Sequence, residues 1–357
     1  MEQLAAGRAD LAVVGGGVIG LSLAWQAAVA GFGRVAVHDP QLERATPQQS
    51  SWAAAGMLAP VTEVHYGEEA LLALTLASRD RWPSFAAELA DASGVEPGYR
   101  TNGTLSVARD GDDLARLDEL AVFQTKLGLE VTKLRSREVR QLEPALSPRV
   151  RGGFLVAGDH SVDNRALVLG LREACVRAGV SLHSTEITDL RQLDAGQVVV
   201  AAGHASIRLL PDLALRPVKG QLLHLRGEPL LTHTVRGIDA YLVPRADGRL
   251  LVGATVEEKG ADLSATAGGV YELLRAAYEL LPGMTELAFA ETVVGLRPAT
   301  ADNAPLLGRI DDRTLVATGH YRNGILLAPL TADLMVELLT TGRTPDLAVP
   351  FAPDRFA

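Results

Sequence analysis

A glycine-rich turn near the start of the chain constrains the fold more than any other feature of the sequence. Residues 11–14 are an uninterrupted apolar run, and residues 21–30 have the composition of an apolar helix. Between them, Gly15, Gly17 and Gly20 match the pattern G-x-G-x-x-G. The first glycine allows a tight turn, the second lets the backbone approach a pyrophosphate, and the third lets the helix pack closely on the strand. The pattern therefore predicts a phosphate-binding turn at the positive end of a helix.

A second predicted strand, residues 34–39, follows this helix and ends in an acid, Asp39. Gly31 and Gly33 are predicted to end the helix at residues 21–30. An acidic side chain about 20 residues after the glycine pattern is the expected acceptor for a ribose hydroxyl in nucleotide-binding units. A glycine-rich turn with only a structural role would leave Asp39 unexplained, so we predict a dinucleotide site.

The same stretch, residues 11–33, contains no charged side chain and is long enough to suggest a membrane span. The segment before it contains Glu2, Arg8 and Asp10, which differs from the positive start of a signal peptide. Glycines also interrupt the stretch where a spanning helix would be continuous. We therefore predict a cytoplasmic protein that does not enter a membrane. The net charge of −9 also argues against nucleic acid as a partner.

Cysteine and histidine patterns predict no metal site. Cys175 is the only cysteine, so the sequence predicts neither a disulfide framework nor a thiolate metal cluster. No cysteine lies near the C-terminal motifs where it could attach a cofactor covalently. His160, His183 and His204 are dispersed and lack the spacing of metal ligands.

The length of 357 residues suggests about two domains. Segments of β–α–β type occur at the start of the chain and return after a block of different composition. We predict a discontinuous nucleotide-binding domain formed by residues 1–90, 150–215 and 292–357. Residues 91–149 and 216–291 would form the second domain, in which short strand-like runs separated by turns indicate a mainly antiparallel sheet.

Three further predictions concern single elements. Residues 68–94 have the pattern of one long helix, with Pro83 as a candidate break. Residues 186–190 have the pattern of a short strand. The final helix is expected to follow a loop at residues 320–328 and to begin at Pro329, because proline suits the first helical position.

Two dense motifs occupy the last third of the chain, VGLRPATADNAP at residues 294–305 and TGHYRNGILLAP at residues 318–329. Together with the glycine-rich turn they resemble the D-amino-acid-oxidase class of flavoproteins, and most closely the glycine oxidases of thiamine biosynthesis. The resemblance extends over nearly the whole chain. The other segments that carry it are residues 50–58, 217–220, 241–245 and 253–255.

The resemblance implies that the cofactor is FAD, bound without a covalent link. The fold is then α/β (α+β), with a Rossmann-type FAD-binding domain and a substrate domain built on the mainly antiparallel sheet. The residues that fall at cofactor-contact positions of the family are Gly15, Gly17, Val18, Ile19, Gly20, Asp39, Pro40, Ser50, Ser51, Ala55, Gly56, Met57, Ile187, Gly203, His320, Tyr321, Arg322, Asn323, Gly324, Ile325 and Leu326.

Three residues match the substrate-binding positions of the family, namely Tyr241, Arg297 and Arg322. A planar guanidinium holds a carboxylate through two parallel hydrogen bonds, and a tyrosine hydroxyl adds one directed bond. Outside these motifs, the same residues would be interpreted as a core aromatic residue, a salt-bridge arginine and a loop arginine. No protein acid or base is expected, because the oxidation depends on orientation of the substrate.

The resemblance implies oxidation of a small amino acid, most closely glycine, to an imine that hydrolyses to glyoxylate and ammonia while dioxygen becomes hydrogen peroxide. Sarcosine or a D-amino acid stays open as the substrate, and a quinone stays open as the electron acceptor of a dehydrogenase. A nucleotide-binding subunit without turnover is the remaining alternative. The resemblance also implies a thiazole synthase as partner for the imine, and a homo-oligomer that is often a tetramer in the family.

Overall fold

The protein folds around two large β-sheets, and the computed structural model describes residues 8–43 and 49–356. Residues 1–7, which include Glu2, lie outside the described residues. In chain order the strands are β1 (Ala9–Val14), β2 (Val35–His38), β3 (Met57–Leu58), β4 (Thr104–Ala108), β5 (Thr132–Arg135), β6 (Gly152–Val156), β7 (His160–Ser161), β8 (Ser181–His183), β9 (Ala195–Val200), β10 (Arg216–Arg226), β11 (Thr234–Arg236), β12 (Tyr241–Pro244), β13 (Arg249–Gly253), β14 (Ala288–Ala299), β15 (Leu306–Arg309) and β16 (Thr314–Thr318). The helices are α1 (Val18–Val29), α2 (Ser50–Ala53), α3 (Glu69–Ser93), α4 (Gly111–Lys126), α5 (Ser136–Leu142), α6 (Asn164–Arg177), α7 (Ser206–Leu209), α8 (Ala267–Leu280) and α9 (Gly324–Thr341).

The first sheet has the strand order β15-β16-β9-β1-β2-β8 and is parallel apart from its edge strand β15. Val13 of β1 lies opposite Val37 of β2 on one side and Val199 of β9 on the other. These three valines are fully buried, as expected for strands covered on both faces. Because the strands are parallel, the ends of β1, β2, β9 and β16 meet at one edge of the sheet, where ligands of such folds bind.

Helix α1 is buried on nearly all sides, between the sheet and the helices α6 and α9. A helix that is apolar all round belongs to a protein core or a membrane, and here its Leu21, Leu23 and Trp25 lie in the largest core cluster. Gly20 lets this helix approach β1 closely, because a Cβ at this position would lie 1.9 Å from Gly15 O. The third glycine of the pattern therefore has the packing role predicted for it.

The second sheet has the order β14-β10-β13-β12-β11-β4-β6-β5 and is antiparallel apart from the β4–β11 pair. Helix α8 packs on this sheet through Leu273, Ala277 and Leu280. The predicted fold class, with a mainly antiparallel second sheet, is confirmed. The domain limits at residues 150 and 292 stay a prediction, and strands β6 and β14, which lie at or across those limits, belong to the second sheet.

Two predictions of single elements were wrong. Residues 186–190 form no strand, because Asp189 instead caps the short 3₁₀ turn Leu190–Gln192 by accepting a hydrogen bond from Arg191 N. Helix α3 also continues through Pro83 without a break. Pro83 lies on the exposed side of the helix, so water can bind the backbone carbonyl that its missing N–H leaves free.

The start of the final helix was also predicted wrongly. Helix α9 begins at Gly324, with Asn323 as the residue before it, so that Pro329 is the sixth helical residue. Proline removes one backbone hydrogen bond inside a helix. In the adjacent turn, Ser78 Oγ and Trp82 Nε1 both donate to Leu326 O, at 2.7 and 2.8 Å. Tertiary hydrogen bonds from α3 thus stabilise the turn that Pro329 disturbs.

Among the described residues, α9 is the one helix long and apolar enough to cross a membrane by length and composition alone. In the structure 61% of this helix is buried inside the protein. Its Leu327, Ala328 and Met335 lie in the same core cluster as helix α1. This is the environment of a core helix.

His320 is a buried histidine that connects strand β16 to helix α9. The residue is 2% exposed, and its Nε2 lies 3.0 Å from Thr331 Oγ1. Burial lowers the pKa of His320 from 6.5 to about 3. The ring is therefore neutral in the folded protein at physiological pH.

Acid should destabilise the protein through His320. Below pH 6.5 the unfolded chain binds a proton at this residue, whereas the folded protein does so only near pH 3, so the free energy of unfolding falls as the pH falls. We expect this residue to lower the free energy of unfolding by about 2 kcal/mol between pH 8 and pH 5. Urea unfolding at several pH values should show that His320→Gln has lost this part of the dependence. A pH profile parallel to that of the wild type would contradict the assignment.

Replacing Gly20 by alanine should damage the core beneath the glycine-rich turn. A methyl group 1.9 Å from a backbone oxygen forces the helix away from the strand, so we expect a loss of roughly 3 kcal/mol of stability. Gly268 in α8 provides the matched control, because a Cβ there meets nothing within 4 Å. Gly268→Ala should raise stability by about 0.5 kcal/mol. Equal urea midpoints for the two variants would refute this account of Gly20.

Candidate active site

A cavity of about 640 Å³ lies where the end of the first sheet meets one face of the second sheet. Residues that follow the parallel strands form one wall, among them Gly15 after β1 and Asp39 after β2. Residues on the second sheet, among them Tyr241 and Arg297, form the opposite wall. The cavity therefore joins the edge that binds nucleotides in such folds to a separate surface that can hold a second ligand.

The glycine-rich turn has the shape that its sequence predicts. Gly15 has φ +118°, and a Cβ there would lie 2.3 Å from Ala201 O, so only glycine fits between the ends of β1 and β9. Val18 N, in the first turn of α1, donates to Ser51 Oγ at 3.0 Å. The positive end of α1 and a serine hydroxyl thus meet at the cavity wall, as an anionic phosphate requires.

The carboxylate of Asp39 organises the neighbouring wall. Asp39 Oδ2 accepts hydrogen bonds from Gly16 N at 2.8 Å and from Gln49 Nε2 at 3.0 Å, and Oδ1 accepts one from Gln41 N at 2.7 Å. These bonds connect the glycine-rich turn to the segment after β2. They also hold the carboxylate at the cavity, where its binding to a ribose hydroxyl stays a prediction.

Two buried side chains hold helix α2 and the turn after it against the cavity. Asn164 Nδ2 donates to the carbonyl oxygens of Ser51 and Trp52, at 2.9 Å each. Arg245 Nη2 donates to Ala55 O at 2.6 Å. Burial lowers the pKa of Arg245 to about 10, which leaves the guanidinium charged at neutral pH. These contacts fix a tract of small residues on which a flat ring system could lie.

Helix α9 directs its N-terminus at the cavity. Asn323, Gly324 and Ile325 line the wall, so the positive end of the helix dipole faces the interior. A Cβ at Gly324 would meet only His320 Cβ, at 3.7 Å, which is an ordinary contact. The protein itself therefore leaves room at this position. Because α9 begins at Gly324 and not at Pro329, its dipole lies closer to the cavity than the sequence indicated.

Two glycines make room for the predicted substrate-binding residues on the second sheet. A Cβ on Gly220 would lie 2.5 Å from the guanidinium nitrogens of Arg297, and a Cβ on Gly253 would lie 2.3 Å from the hydroxyl of Tyr241. Both large side chains therefore lie across the sheet, over positions where any other residue would push them away. Both glycines belong to segments that carry the family resemblance, but their role in making room for these side chains is not visible in the sequence.

Arg297 occupies the floor of the cavity without an acidic partner among the described residues. Its Nη1 donates to two backbone carbonyl oxygens, Lys219 O at 3.3 Å and Thr255 O at 3.2 Å. Tyr241 lies nearby, and burial raises the pKa of its hydroxyl to about 12, with the charge of Arg297 opposing the shift. The cavity therefore presents a guanidinium and a protonated hydroxyl that can both donate to one carboxylate.

Arg322 lies in the cavity wall but has protein partners. Its Nε lies 3.1 Å from Glu63 Oε2, and its Nη2 donates to Glu68 Oε2 at 2.8 Å. Glu63 also binds Arg236 through its other carboxylate oxygen. Contact between Arg322 and a substrate stays a prediction, since two carboxylates already pair with this arginine.

The structure brings nearly all the predicted site residues to this one cavity. The exceptions are Gly20, which packs under the turn, and Leu326, which is 2% exposed in the core. The predicted residues that line it are Gly15, Gly17, Val18, Ile19, Asp39, Pro40, Ser50, Ser51, Ala55, Gly56, Met57, Ile187, Gly203, Tyr241, Arg297, His320, Tyr321, Arg322, Asn323, Gly324 and Ile325. Two further residues of the cavity, Glu63 and Arg236, were not predicted from the sequence. Glu63 lies in an irregular segment, and Arg236 lies on a short strand that no sequence pattern indicated.

A protein-family model described as FAD dependent oxidoreductase matches residues 10–338. Glycine oxidase from Geobacillus kaustophilus is 34% identical over 98% of this chain and 97% of the relative. The crystal structure of glycine oxidase from Geobacillus kaustophilus superposes with a TM-score of 0.90 at 33% identity, covering 97% of this chain and 98% of that one. The crystal structure of iminodiacetate oxidase from Chelativorans sp. BNC1 has a TM-score of 0.84 at 26% identity, with 96% and 98% covered.

Some relatives are much longer than this chain. The bifunctional protein ThiO/ThiG from Synechocystis sp. is 35% identical over 97% of this chain, but the match covers only 54% of the relative. The chain thus spans about half the length of such relatives. The family model covers most of the chain, and the fold and the glycine-rich turn agree with it. The chain belongs to the family of FAD-dependent oxidoreductases.

Proposed function

We propose that this protein oxidises a small amino acid, most favourably glycine, with FAD as cofactor and dioxygen as electron acceptor. The products would be glyoxylate and ammonia, formed by hydrolysis of the imine, together with hydrogen peroxide. The observation that carries the proposal is Arg297, a guanidinium on the cavity floor that no described carboxylate neutralises. An α-amino acid supplies the carboxylate that this group lacks.

The residues present fit FAD. The close approach at Gly15 and the positive end of α1 suit a pyrophosphate, and Asp39 lies where a ribose would follow. The tract at residues 53–57 suits a flat ring, and the N-terminus of α9 suits an edge that carries negative charge. We propose that FAD binds without a covalent link to the protein. Cys175, the only cysteine, is buried in the core, where its Sγ donates a hydrogen bond to Leu21 O.

When bound, FAD would supply the hydride acceptor for the substrate α-carbon and the route by which electrons reach dioxygen. The protein supplies orientation. Arg297 holds the carboxylate, and Tyr241 donates one further hydrogen bond, because its high pKa keeps the hydroxyl protonated. The acids of the cavity near them, Glu63 and Asp239, are paired with arginines, so neither is placed as a free base. The substrate amine is therefore expected to bind in its neutral form.

Other substrates, another electron acceptor and a role without turnover also fit this cavity, and the experiment must distinguish them. Sarcosine and D-alanine also carry a carboxylate, a quinone can replace dioxygen, and a subunit without turnover would keep only the cofactor. Transfer of the imine to a thiazole synthase partner is part of the proposal, and the bifunctional ThiO/ThiG relatives, which this chain matches over only 54% of their length, support a link to a second protein. A cytoplasmic location and a homo-oligomer, in the form of a tetramer, complete the proposal.

Purified protein should be yellow and should release FAD on heating, and it should form peroxide with glycine faster than with sarcosine or D-alanine. Colourless protein that binds NAD instead would refute the cofactor assignment. Reduction of flavin without peroxide would identify a dehydrogenase. A flavin that no amino acid reduces would leave only the subunit without turnover.

Replacing Arg297 by lysine should reduce kcat/KM for glycine by roughly tenfold to a hundredfold. Lysine keeps the charge but loses the two parallel N–H groups, which puts charge-assisted hydrogen bonds of about 1.5–3 kcal/mol at risk. The flavin content should not change, because the residue holds the substrate.

Ethylamine serves as the control substrate for this variant, since it has an amine and no carboxylate. Its oxidation should be nearly insensitive to Arg297→Lys, as followed by peroxide formation. Equal losses on glycine and ethylamine would show that Arg297 has a structural role, and the amino-acid assignment would lose its main support.

A further inference from the structure

The cavity contains more positive charge than one substrate carboxylate needs. Arg236, Arg297 and Arg322 all line its substrate end. Two of the three are paired with acids: Glu63 bridges Arg236 and Arg322, and Glu68 holds Arg322 a second time. Among the described residues only Arg297 is left without a carboxylate.

Glu63 lies close to the place where the substrate carboxylate would bind. Arg236 of β11 is directly opposite Tyr241 of β12 in the sheet, so the two side chains emerge on the same face. Burial raises the pKa of Tyr241. The charges of Arg297, of Glu63 and of Arg236 also act on this pKa. A charge change at Glu63 therefore acts at the substrate end of the cavity.

Buried hydrogen bonds hold Glu63 in this position. Asp159 is fully buried and accepts from Val61 N at 3.1 Å and from Thr62 N at 2.8 Å, which fixes the backbone immediately before Glu63. Arg322 Nη2 also donates to Glu63 O at 3.0 Å. Burial alone would raise the pKa of Glu63, but Arg236 and Arg322 hold it below its ordinary value. Glu63 is therefore a fixed negative charge at neutral pH.

We propose that Glu63 is a specificity-determining residue that restricts the site to substrates with one carboxylate, because its single negative charge neutralises Arg236 while Glu68 pairs with Arg322. Without Glu63, Arg236 has no salt-bridge partner among the described residues, although the buried Asp159 still acts on its charge, and the cavity gains one positive charge that a second substrate carboxylate can use. This inference rests on the proposed function. One solved relative is named as an oxidase of iminodiacetate, a compound with two carboxylates. The proposal predicts that this protein uses iminodiacetate poorly and that one substitution at Glu63 improves its use.

Substitution of Glu63 by glutamine tests the charge with little change of shape. The readout is competitive inhibition of glycine oxidation by malonate, a dicarboxylate, compared with acetate, a monocarboxylate. In Glu63→Gln the Ki of malonate relative to that of acetate should fall about tenfold, and the relative kcat/KM for iminodiacetate should rise. Tenfold corresponds to about 1.4 kcal/mol, a reasonable effect for one charge in a partly buried site.

Two further variants separate charge from structure. Arg236→Gln removes a positive charge and should raise the malonate-to-acetate Ki ratio. The double variant Glu63→Gln/Arg236→Gln restores the net charge and should return the ratio towards the wild-type value. A double variant that behaves like Glu63→Gln would overturn the proposal, because the effect would then come from shape. If Glu63→Gln loses flavin or unfolds, Arg236→Gln and the double variant still decide the question.

Glu68→Gln is the matched control, since Glu68 pairs with Arg322 but does not line the cavity. It should change the Ki ratio by less than threefold, and a shift as large as that of Glu63→Gln would contradict the location proposed here. The two proposals fail separately. Wild-type protein that forms no peroxide with any amino acid defeats the proposed function, whereas glycine oxidation with an unchanged Ki ratio in Glu63→Gln defeats only this inference.

Discussion

The close contact between helix α1 and the end of β1 is the constraint on which the site depends. Gly20 allows this contact, because any side chain there would meet Gly15 O, and Gly15 itself fits only without a Cβ beside Ala201 O. Through this contact the N-terminus of α1 points at the strand ends. Helices α6 and α9 then pack on α1, and α9 brings its own N-terminus to the same cavity. Two helix dipoles therefore converge at the cavity, an arrangement that favours an anionic ligand.

The second sheet uses glycine for a different purpose. On the nucleotide side, glycine lets backbone approach backbone, whereas Gly220 and Gly253 provide space for the side chains of Arg297 and Tyr241. A long side chain that lies flat on a sheet is held along its length and loses little freedom when a ligand binds. The arrangement thus orients two hydrogen-bond donors before the substrate arrives. Such preorganisation is the contribution that a protein can make when the cofactor carries out the chemistry.

The sequence predicted the parts of this protein that depend on short-range patterns. The glycine-rich turn, its flanking strands and the limits of helices α1 and α3 follow from local spacing, and the structure confirms them within a few residues. The start of α9 was missed because hydrogen bonds from Ser78 and Trp82, more than 240 positions away in the chain, stabilise a turn around Pro329 that local rules disfavour. Glu63 was missed for a similar reason. It forms ion pairs with Arg236 and Arg322, and only the tertiary fold brings these two arginines to it.

The charges of the cavity also show why a list of arginines does not define a carboxylate site. Arg297 and Arg322 both belong to the motifs that carry the family resemblance. In the described part of the chain, Arg297 has only backbone carbonyl partners, whereas two carboxylates hold Arg322. A guanidinium that already has its carboxylates gains less from another anion, because the new bond replaces an existing one. Affinity for a substrate carboxylate therefore follows from the unpaired charge. Among the described arginines of the substrate end, that charge belongs to Arg297, and the role proposed for Glu63 is to keep Arg236 from offering a second one.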